Sequence, residues 1–445
     1  MDFSTSPKIQ ELIQTIGDFV RQELVPLEPQ FTGKEFKDLV PLLNEKRAKV
    51  KDMGLWAPFL HKEDGGLGLS LMEFGQISEA MGYSPLGHYA FNCQAPDVGN
   101  MEVLLGHGTP EQKEKYLKPL IAGDIRSCFS MTEPENPGSN PTIMDTTAVQ
   151  DGDEWVINGH KWFTSSADGA AFAIVMAVTH PDAPPHGRTS QIVVPTDNPG
   201  FELVRNISVM GEPGSDYNSH SEIRYTDCRV PVTNILGEGG AGFTIAQERL
   251  GPGRIHHCMR LIGLAERTLE AMCRRVKSRV TFGRPVADQT VTQERIAEAR
   301  IMIDQNRLLT LYAADKMDQF GNKEARKEIA MIKVAAPNMS CQVIDWPIQA
   351  HGGGGSHLNP SPTTQRGLGD ADPGHRHLAS AVGVQHVAEG NAGTQVRRQR
   401  PCAELSVLHA TATQATAAVG AAAVAVEHGV PLGHRRLLCH PTLSP

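Results

Sequence analysis

The chain has 445 residues, with 42 Lys and Arg against 50 Asp and Glu and a formal net charge of −8 at pH 7. That length allows roughly two or three domains around a large buried core, and the evenly spread charges exclude the basic surface of a nucleic-acid-binding protein. The longest apolar run, residues 417–426, is shorter than the roughly 20 residues of a membrane-spanning helix, so we expect no integral membrane segment.

The start of the chain predicts a helix rather than a targeting signal. Ser6 and Pro7 are a capping and first-turn pair, and the apolar residues between Ile9 and Val20 follow on one helical stripe. The segment lacks the basic region of a secretory signal and the acid-poor composition of a transit peptide. We expect a cytoplasmic protein if the source is bacterial, and a mitochondrial matrix or peroxisomal protein if it is eukaryotic.

Three sequence textures predict an α+β fold with three folded domains. Residues 1–126 carry helical periodicity and predict an N-terminal helical domain, and residues 127–243 have short β-rich runs that predict a middle antiparallel β domain. The pair Asn158–Gly159 predicts a hairpin turn in that β domain. Residues 244–351 predict an incomplete C-terminal helical bundle, in which Pro337 and Pro347 should break or kink the last helix.

The composition changes sharply at Gly352. Every Trp, Tyr, Phe, Met, Ile and Lys precedes it, whereas residues 352–445 hold eight of the 18 His. Such a segment can bury little apolar area against an ordering cost of about 1–2 kcal/mol per residue, so we expect an atypical, poorly ordered tail. It is either a low-complexity appendage or the product of a changed reading frame or splice junction.

Cysteine usage points to reduced thiols inside a cell. No Cys-x-x-Cys pair and no histidine at ligand spacing is present, which argues against a zinc site and a disulfide framework. We therefore expect no metal. The eight cysteines are Cys93, Cys128, Cys228, Cys258, Cys273, Cys341, Cys402 and Cys439.

Four short segments carry groups that suit a cofactor. The loop at 129–139 offers hydroxyls and backbone N–H groups to a planar heterocycle, and residues 158–165 present aromatic and hydroxyl side chains. Residues 279–289 offer an Arg and an amide for a pyrophosphate or adenine, and the glycines of 349–355 admit a phosphate or another backbone. Each segment alone also fits an ordinary turn, core packing, a helix-turn surface or a flexible linker.

In this order and spacing, the four segments resemble the acyl-CoA dehydrogenase family. The resemblance covers residues 1–355, and residues 248–260 and 327–337 look like the branch that includes family members ten and eleven. It implies an FAD cofactor, an acyl-CoA substrate, an electron-transfer flavoprotein as acceptor and a homodimer or homotetramer. It also implies an acyl-CoA dehydrogenase activity, the oxidation of an acyl thioester to the trans-2-enoyl-CoA in fatty-acid β-oxidation.

The resemblance also implies site residues. Phe163 matches the aromatic ring stacked on the isoalloxazine and Ser165 the hydroxyl near flavin N5, where Trp and Thr are common in the family. The residues that match the segment along one side of the flavin are Phe129, Met131, Thr132, Gly138 and Ser139, of which Ser139 also faces the acyl-CoA. The residues that match the pyrophosphate and adenine site across a subunit interface are Arg279, Phe282, Gln289, Gln349, Gly352 and Gly353. The residues that match substrate-contacting positions of the family are Ser139, Gly251, Pro252, Gly253 and Arg254.

The catalytic base remains unknown from the sequence. In the family a carboxylate takes the α-proton while the flavin accepts a hydride from the β-carbon, and the base residue also donates a backbone N–H to the thioester oxygen. The family's acidic position after the glycine motif falls at Arg376 here, and the alternative Glu position on the substrate helix is Gly253. The nearest tail acids are expected to be chance members of the tail: Asp370, Asp372 and Glu389.

Loss of the native ending explains both the missing base and the altered composition, because the resemblance ends where the composition changes. We therefore expect an impaired dehydrogenase. Two alternatives remain open at this point: a catalytically inactive flavin- and acyl-CoA-binding protein, and an acyl-CoA oxidase in which O₂ reaches the reduced flavin.

Overall fold

The structure, a computed structural model, describes residues 5–31, 34–209 and 211–355. The predicted tail at residues 352–445 lies outside the described residues from 356 onward. Arg376, where the family's acidic residue would fall, lies outside them too. So do the tail acids Asp370, Asp372 and Glu389.

Helices form the first part of the chain. Ser6 caps the first of them, because its Oγ accepts a hydrogen bond of 3.4 Å from the Ile9 N–H and Pro7 occupies the first turn. The α-helices are α1 (Pro7–Phe19), α2 (Val40–Asp52), α3 (Leu71–Gly82), α4 (Gly87–Ala90), α5 (Asp97–His107), α6 (Pro110–Gln112) and α7 (Lys118–Ala122). Short 3₁₀ or π-helical segments occupy Val20–Leu24, Val25–Phe31, Phe36–Leu39, Lys62–Asp64 and Lys113–Leu117.

A mixed sheet follows the first helices. Its strands are β1 (Ser127–Ser130), β2 (Thr147–Asp151), β3 (Glu154–Ser165), β4 (Phe172–Val178), β5 (Thr189–Pro195), β6 (Phe201–Asn206), β7 (His220–Pro231) and β8 (Ile235–Leu236). The order is β6-β7-β3-β2-β4-β5-β8, with β1 paired to β4. Most pairs are antiparallel as predicted, while β1 and β2 each pair with β4 in parallel. β4 is buried over almost its whole length, as is typical of a strand covered on both faces.

Long helices pack together in the last described part. They are α8 (Gly242–Ser278), α9 (Thr290–Glu324) and α10 (Arg326–His351), with the short strands β9 (Val280–Thr281) and β10 (Arg284–Pro285) between α8 and α9. Of the predicted break or kink in the last helix, the break is wrong, because α10 runs through both Pro337 and Pro347. Each proline removes one helical N–H donor, but both are buried where α10 packs against the other helices, and this packing offsets the loss.

The predicted hairpin turn at Asn158–Gly159 is also wrong. β3 runs through both residues, and a register shift against β7 between Ile157 and Gly159 replaces the turn. Glycine suits this close approach, because a Cβ on Gly159 would lie 2.3 Å from Thr146 Oγ1. The turn that joins β2 to β3 lies instead around Gly152, whose φ is 64°.

Each part of the described chain has an apolar core, and the α+β fold class is confirmed. Core residues of the long-helix bundle include Ile255, Met259, Ile262, Ile303 and Ile332. The domain boundaries at residues 126, 243 and 351 remain predictions. Across residues 5–31, 34–209 and 211–355, every helix is too short or too polar to traverse a lipid bilayer.

Candidate functional site

A cavity of about 450 Å³ brings together residues from the first helices, the sheet and the long-helix bundle. Its wall includes one side of α5, the end of β1 with the loop that follows, the end of β3 and the first half of α8. A volume of this size is typical of small-molecule and cofactor sites. The predicted site residues in its wall are Phe129, Met131, Thr132, Phe163, Ser165, Gly253 and Arg254.

Hydrogen bonds tie the loop after β1 to β3. Thr132 Oγ1 donates to the Trp162 carbonyl at 2.6 Å, and the Trp162 N–H donates to the Thr132 carbonyl at 3.0 Å. Phe163 follows Trp162 directly in the chain. The cross-link therefore brings two of the predicted cofactor segments side by side.

A buried ion pair also anchors the loop after β1. Lys161 Nζ donates to Glu133 Oε1 and to the Met131 carbonyl at 2.9 Å each, and the two ionic side chains are 0% and 3% exposed. The Glu133 carboxylate also accepts the N–H groups of Asp145 and Thr146, at 2.7 and 2.9 Å. Burial by itself raises the pKa of Glu133, but the charge of Lys161 and these N–H groups lower it to about 2. Glu133 and Lys161 lie in two of the predicted cofactor segments, 129–139 and 158–165, but the sequence analysis did not predict that they form an ion pair.

The end of β3 places an aromatic ring and a hydroxyl in the cavity wall. Phe163 has a φ of 48°, a left-handed conformation that is rare for an aromatic residue and occurs preferentially at functional sites. Ser165 Oγ lies 2.8 Å from His220 Nδ1, and His220 lines the cavity as well. Burial lowers the pKa of His220 to about 4, so this imidazole is neutral at pH 7.

The first half of α8 contributes only part of its predicted substrate residues to the wall. Gly253 and Arg254 line the cavity, whereas Gly251 and Pro252 do not. Gly251 packs against Asn322, whose amide atoms a Cβ would approach to 2.5 Å. A Cβ on Gly253 would meet no heavy atom within 4 Å, so this position has room for a side chain.

Several charged side chains that the sequence analysis did not single out also line the cavity, among them Glu102, Arg249 and Arg260. The Arg249 guanidinium lies 4.1 Å from the centre of the Phe129 ring, and its Nε donates to Asn100 Oδ1 at 3.3 Å. Burial raises the pKa of the Glu102 carboxyl to about 7, although the charge of Arg249 opposes the shift. The sequence signal that could have identified Glu102 is its position as the one acid among the apolar residues of 101–106.

A second group of predicted residues does not line the cavity and lies where α8 and α10 end. Arg279 Nη1 donates to the Ala350 carbonyl at 2.7 Å. Gly352 has a φ of 66°, and a Cβ there would lie 3.2 Å from the Arg279 guanidinium. Gln289 Oε1 accepts a hydrogen bond of 2.8 Å from Arg284 Nη2.

The remaining predicted residues also lie off the cavity wall. Phe282 lies in the tight turn between β9 and β10 and is fully exposed, with a relative solvent accessibility of 101%. Gln349 and Gly353 are exposed near the end of α10. Gly138 packs against the Thr132 methyl group, and Ser139 is exposed. The structure thus separates the predicted residues into a group that lines the cavity and a group that lies off its wall.

Helices, a mixed sheet and a helical bundle around one cavity define the acyl-CoA dehydrogenase fold. A solved structure of a Mycobacterium abscessus protein assigned to the acyl-CoA dehydrogenases is 41% identical, covers 88% of this chain and 98% of its own, and superposes with a TM-score of 0.77.

Sequence comparison agrees along the chain. The families described as the N-terminal, middle and C-terminal domains of acyl-CoA dehydrogenase match residues 6–124, 128–228 and 240–398. The probable acyl-CoA dehydrogenase FadE2 of Mycobacterium tuberculosis is 46% identical over 364 residues, which cover 80% of this chain and 88% of the relative. The chain belongs to the acyl-CoA dehydrogenase family.

Two mouse relatives confirm the predicted branch. Acyl-CoA dehydrogenase family member 10 of Mus musculus is 44% identical over 79% of this chain and 34% of its own length. Family member 11 is 43% identical over 79% of this chain and 46% of its own. The chain therefore spans less than half of either mouse protein. The match to the C-terminal domain runs past Gly355 into residues that the structure does not describe, so the departure from the family after Gly355 stays a prediction.

Proposed function

We propose that this chain is an FAD-dependent acyl-CoA dehydrogenase that converts an acyl-CoA thioester to the trans-2-enoyl-CoA in fatty-acid β-oxidation, and that its turnover is impaired. The observation that carries the proposal is the cavity, in whose wall the segments around Thr132, Phe163 and Gly253 meet. These segments come from three parts of the chain and match the family's flavin and substrate positions.

The residues in the wall fit a flavin. An isoalloxazine ring is planar, with apolar faces and hydrogen-bonding edges, and such a ring needs aromatic walls with a few polar groups. Phe129 and Phe163 supply aromatic surface, and Thr132 and Ser165 supply hydroxyls. FAD bound there would supply the hydride acceptor for the β-carbon.

The chain's own residues hold the part of this wall that would face the flavin in place. The Glu133–Lys161 pair fixes the loop after β1, so that Met131 and Thr132 keep their positions when ligand binds. His220 positions the Ser165 hydroxyl and, being neutral at pH 7, adds no charge beside it.

The step that we propose to be impaired is removal of the α-proton of the acyl thioester. The α-proton of a thioester is a weak acid, so the reaction needs a carboxylate within reach and a donor for the thioester oxygen. Loss of a general base typically costs about 10²–10⁴-fold in rate, and loss of one oxyanion donor about 10²–10³-fold. Glu102, in the cavity wall with a pKa of about 7, is the proton acceptor that we assign to any residual turnover.

The second group of predicted residues supports an oligomer. In the family these positions bind the pyrophosphate and adenine end of FAD across a subunit interface. The exposed ring of Phe282 and the contact between Arg279 and the Gly352 turn are consistent with such an interface. We propose a homodimer or homotetramer with an electron-transfer flavoprotein as acceptor, and size-exclusion chromatography with light scattering tests the oligomer.

The test of the proposed function is anaerobic mixing of the purified protein with a panel of acyl-CoAs while flavin absorbance is followed. We expect a yellow protein that retains FAD and binds acyl-CoA, with slow bleaching that Glu102→Gln slows further. Brisk bleaching would refute the impairment, and a colourless product that cannot be reconstituted with FAD would refute the flavin site.

Two controls separate the alternatives. Binding of acyl-CoA with no bleaching at any time favours an inactive binding protein. Peroxide formation in air without an added acceptor favours an oxidase. Glu238→Gln serves as the matched variant for Glu102→Gln, because Glu238 is an exposed acid that does not line the cavity.

A further inference from the structure

Arg260 lies on α8 in the cavity wall, about two helical turns beyond Gly253. Its Nε is buried and makes no hydrogen bond within the described part of the chain. Arg267, two turns further along α8, shows the contrast, because its two terminal nitrogens donate to the two Glu28 oxygens at 2.7 Å each. Among residues 5–31, 34–209 and 211–355, no ion pair of that kind includes Arg260.

The side chains around Arg260 do not neutralise its charge. His256 and His257 flank it on α8, and Cys93 and Tyr217 line the same cavity from other elements. Burial, with the charges of His257 and Arg260, lowers the pKa of His256 to about 3, so this ring is neutral at pH 7. Burial also raises the pKa values of Cys93 and Tyr217, so neither supplies a negative charge.

Within the described part of the chain, the carboxylates of the cavity wall form no ion pair with Arg260. Glu28 is held by Arg267, and Glu35 pairs with Lys37 at 2.5 Å. The charge of Arg249 acts on the Glu102 carboxyl, and Glu212 is exposed. A guanidinium that is partly removed from water is costly unless an anion joins it. The cavity therefore offers a positive end that an anionic ligand group would complete.

We propose that Arg260 binds a carboxylate at the far end of the acyl chain, so that the site prefers the CoA monothioester of a dicarboxylic acid. The inference rests on the proposed function, since it takes the acyl chain to occupy this cavity with its thioester near Gly253. The helix rises about 10 Å between Gly253 and Arg260, which places the carboxylate several methylene groups from the thioester.

A carboxylate fits this position better than the alternatives. Its two oxygens match the planar guanidinium fork in a bidentate pair. Its single charge balances that of the Arg260 guanidinium in one pair. A plain hydrocarbon chain would exclude water from the guanidinium without replacing its hydrogen bonds.

The experiment compares CoA thioesters of dicarboxylic and monocarboxylic acids of matched length, from four to ten carbons, by calorimetric titration of the FAD-loaded full chain. We expect at least one length at which the dicarboxylic thioester binds about tenfold tighter. Arg260→Met should abolish this preference, because it removes the partner of the carboxylate and relieves the desolvation that a monocarboxylic chain imposes on the guanidinium, while Arg260→Lys should retain part of it. Arg274→Met is the matched control, because Arg274 lies on the same helix and pairs with Glu270 at the surface.

Equal affinities at every length, or a preference for the monocarboxylic thioester, would overturn the inference. A preference that survives in Arg260→Met would overturn the role of Arg260. The comparison in the parent protein requires no variant, so it decides the inference even if Arg260→Met fails to fold. Failure of the proposed function looks different, because then no thioester of either series binds more tightly than free CoA.

Discussion

Replacing Gly253 with Glu should return a proton acceptor to this site. Position 253 lies in the cavity wall on α8, and a Cβ there meets no heavy atom within 4 Å. By the resemblance, it also matches the position at which one branch of the family carries its base. The substitution therefore adds a carboxylate where the chain has both space and a matching family precedent.

The magnitude follows from the helix and from the chemistry. Exchanging an interior helical Gly for a better helix former gains about 0.5 kcal/mol, so the variant should fold at least as well as the parent. A positioned general base contributes about 10²–10⁴-fold, or about 3–5 kcal/mol of barrier. The proposed impairment also includes the loss of an oxyanion donor, which this substitution does not supply, so turnover should remain about 10²–10³-fold below that of a complete site.

The assay is the rate of anaerobic flavin bleaching under saturating acyl-CoA. Gly253→Gln is the matched control, because it adds the same bulk and a polar group without a proton acceptor, and Gly253→Ala isolates the helix effect. The reasoning predicts that only the Glu variant gains rate and that its rate rises with pH through the carboxylate pKa. Equal bleaching rates in the Glu and Gln variants, with both proteins folded and flavin-loaded, would refute it.

Further predictions concern the framework of the site. Lys161→Met leaves the Glu133 carboxylate buried without its partner and should lower the free energy of unfolding by about 3–5 kcal/mol in chemical denaturation. Stability should fall as the pH drops from 6.5 to 4, by up to about 1.4 kcal/mol per pH unit from His220. Over that range the unfolded chain binds a proton that the folded imidazole, with its pKa of about 4, does not. Thermal melts should show a shallower slope in His220→Gln. Gly352→Ala forces a side chain into a left-handed conformation beside Arg279 and should cost about 1–3 kcal/mol and reduce FAD retention.

Each of these predictions has an opposing outcome. Unchanged denaturation midpoints in Lys161→Met would contradict the anchoring role of the ion pair, and the double variant with Glu133→Gln should recover part of the loss. An unaltered slope in His220→Gln would show that this ring does not titrate as described. Full FAD retention in Gly352→Ala would separate the Arg279 turn from cofactor binding.

Local sequence patterns predicted the helical elements well, because the signals for each helix lie in neighbouring residues. Ser6 and Pro7 mark the start of α1 through hydrogen bonding and ring geometry that need no distant partner. The apolar run Phe172–Val178 forms a buried strand within the region whose short runs predicted β structure. The failures came where tertiary contacts outweigh local preference. Asn158–Gly159 continues a strand because a neighbouring strand pairs with it.

The cavity group of the site was predicted in part, through motifs whose order and spacing match a known family. Phe163 and Ser165 lie in the cavity wall, whereas Gly251 packs against Asn322 from another helix. Whether a helical residue faces a cavity or a neighbouring helix depends on how the helices cross, and one helix's sequence does not contain that angle.

By itself the sequence determined the fold class, the family and the segments that carry its motifs, because periodicity and motif order are properties of neighbouring residues. Which charged side chains form ion pairs was decided by the tertiary structure alone. Glu28 and Arg267 are 239 residues apart and form a bidentate pair, while Arg260 on the same helix faces the cavity without one. Pairing of that kind depends on distances and burial that arise only when the helices pack, since the energy of a charge is set by what surrounds it.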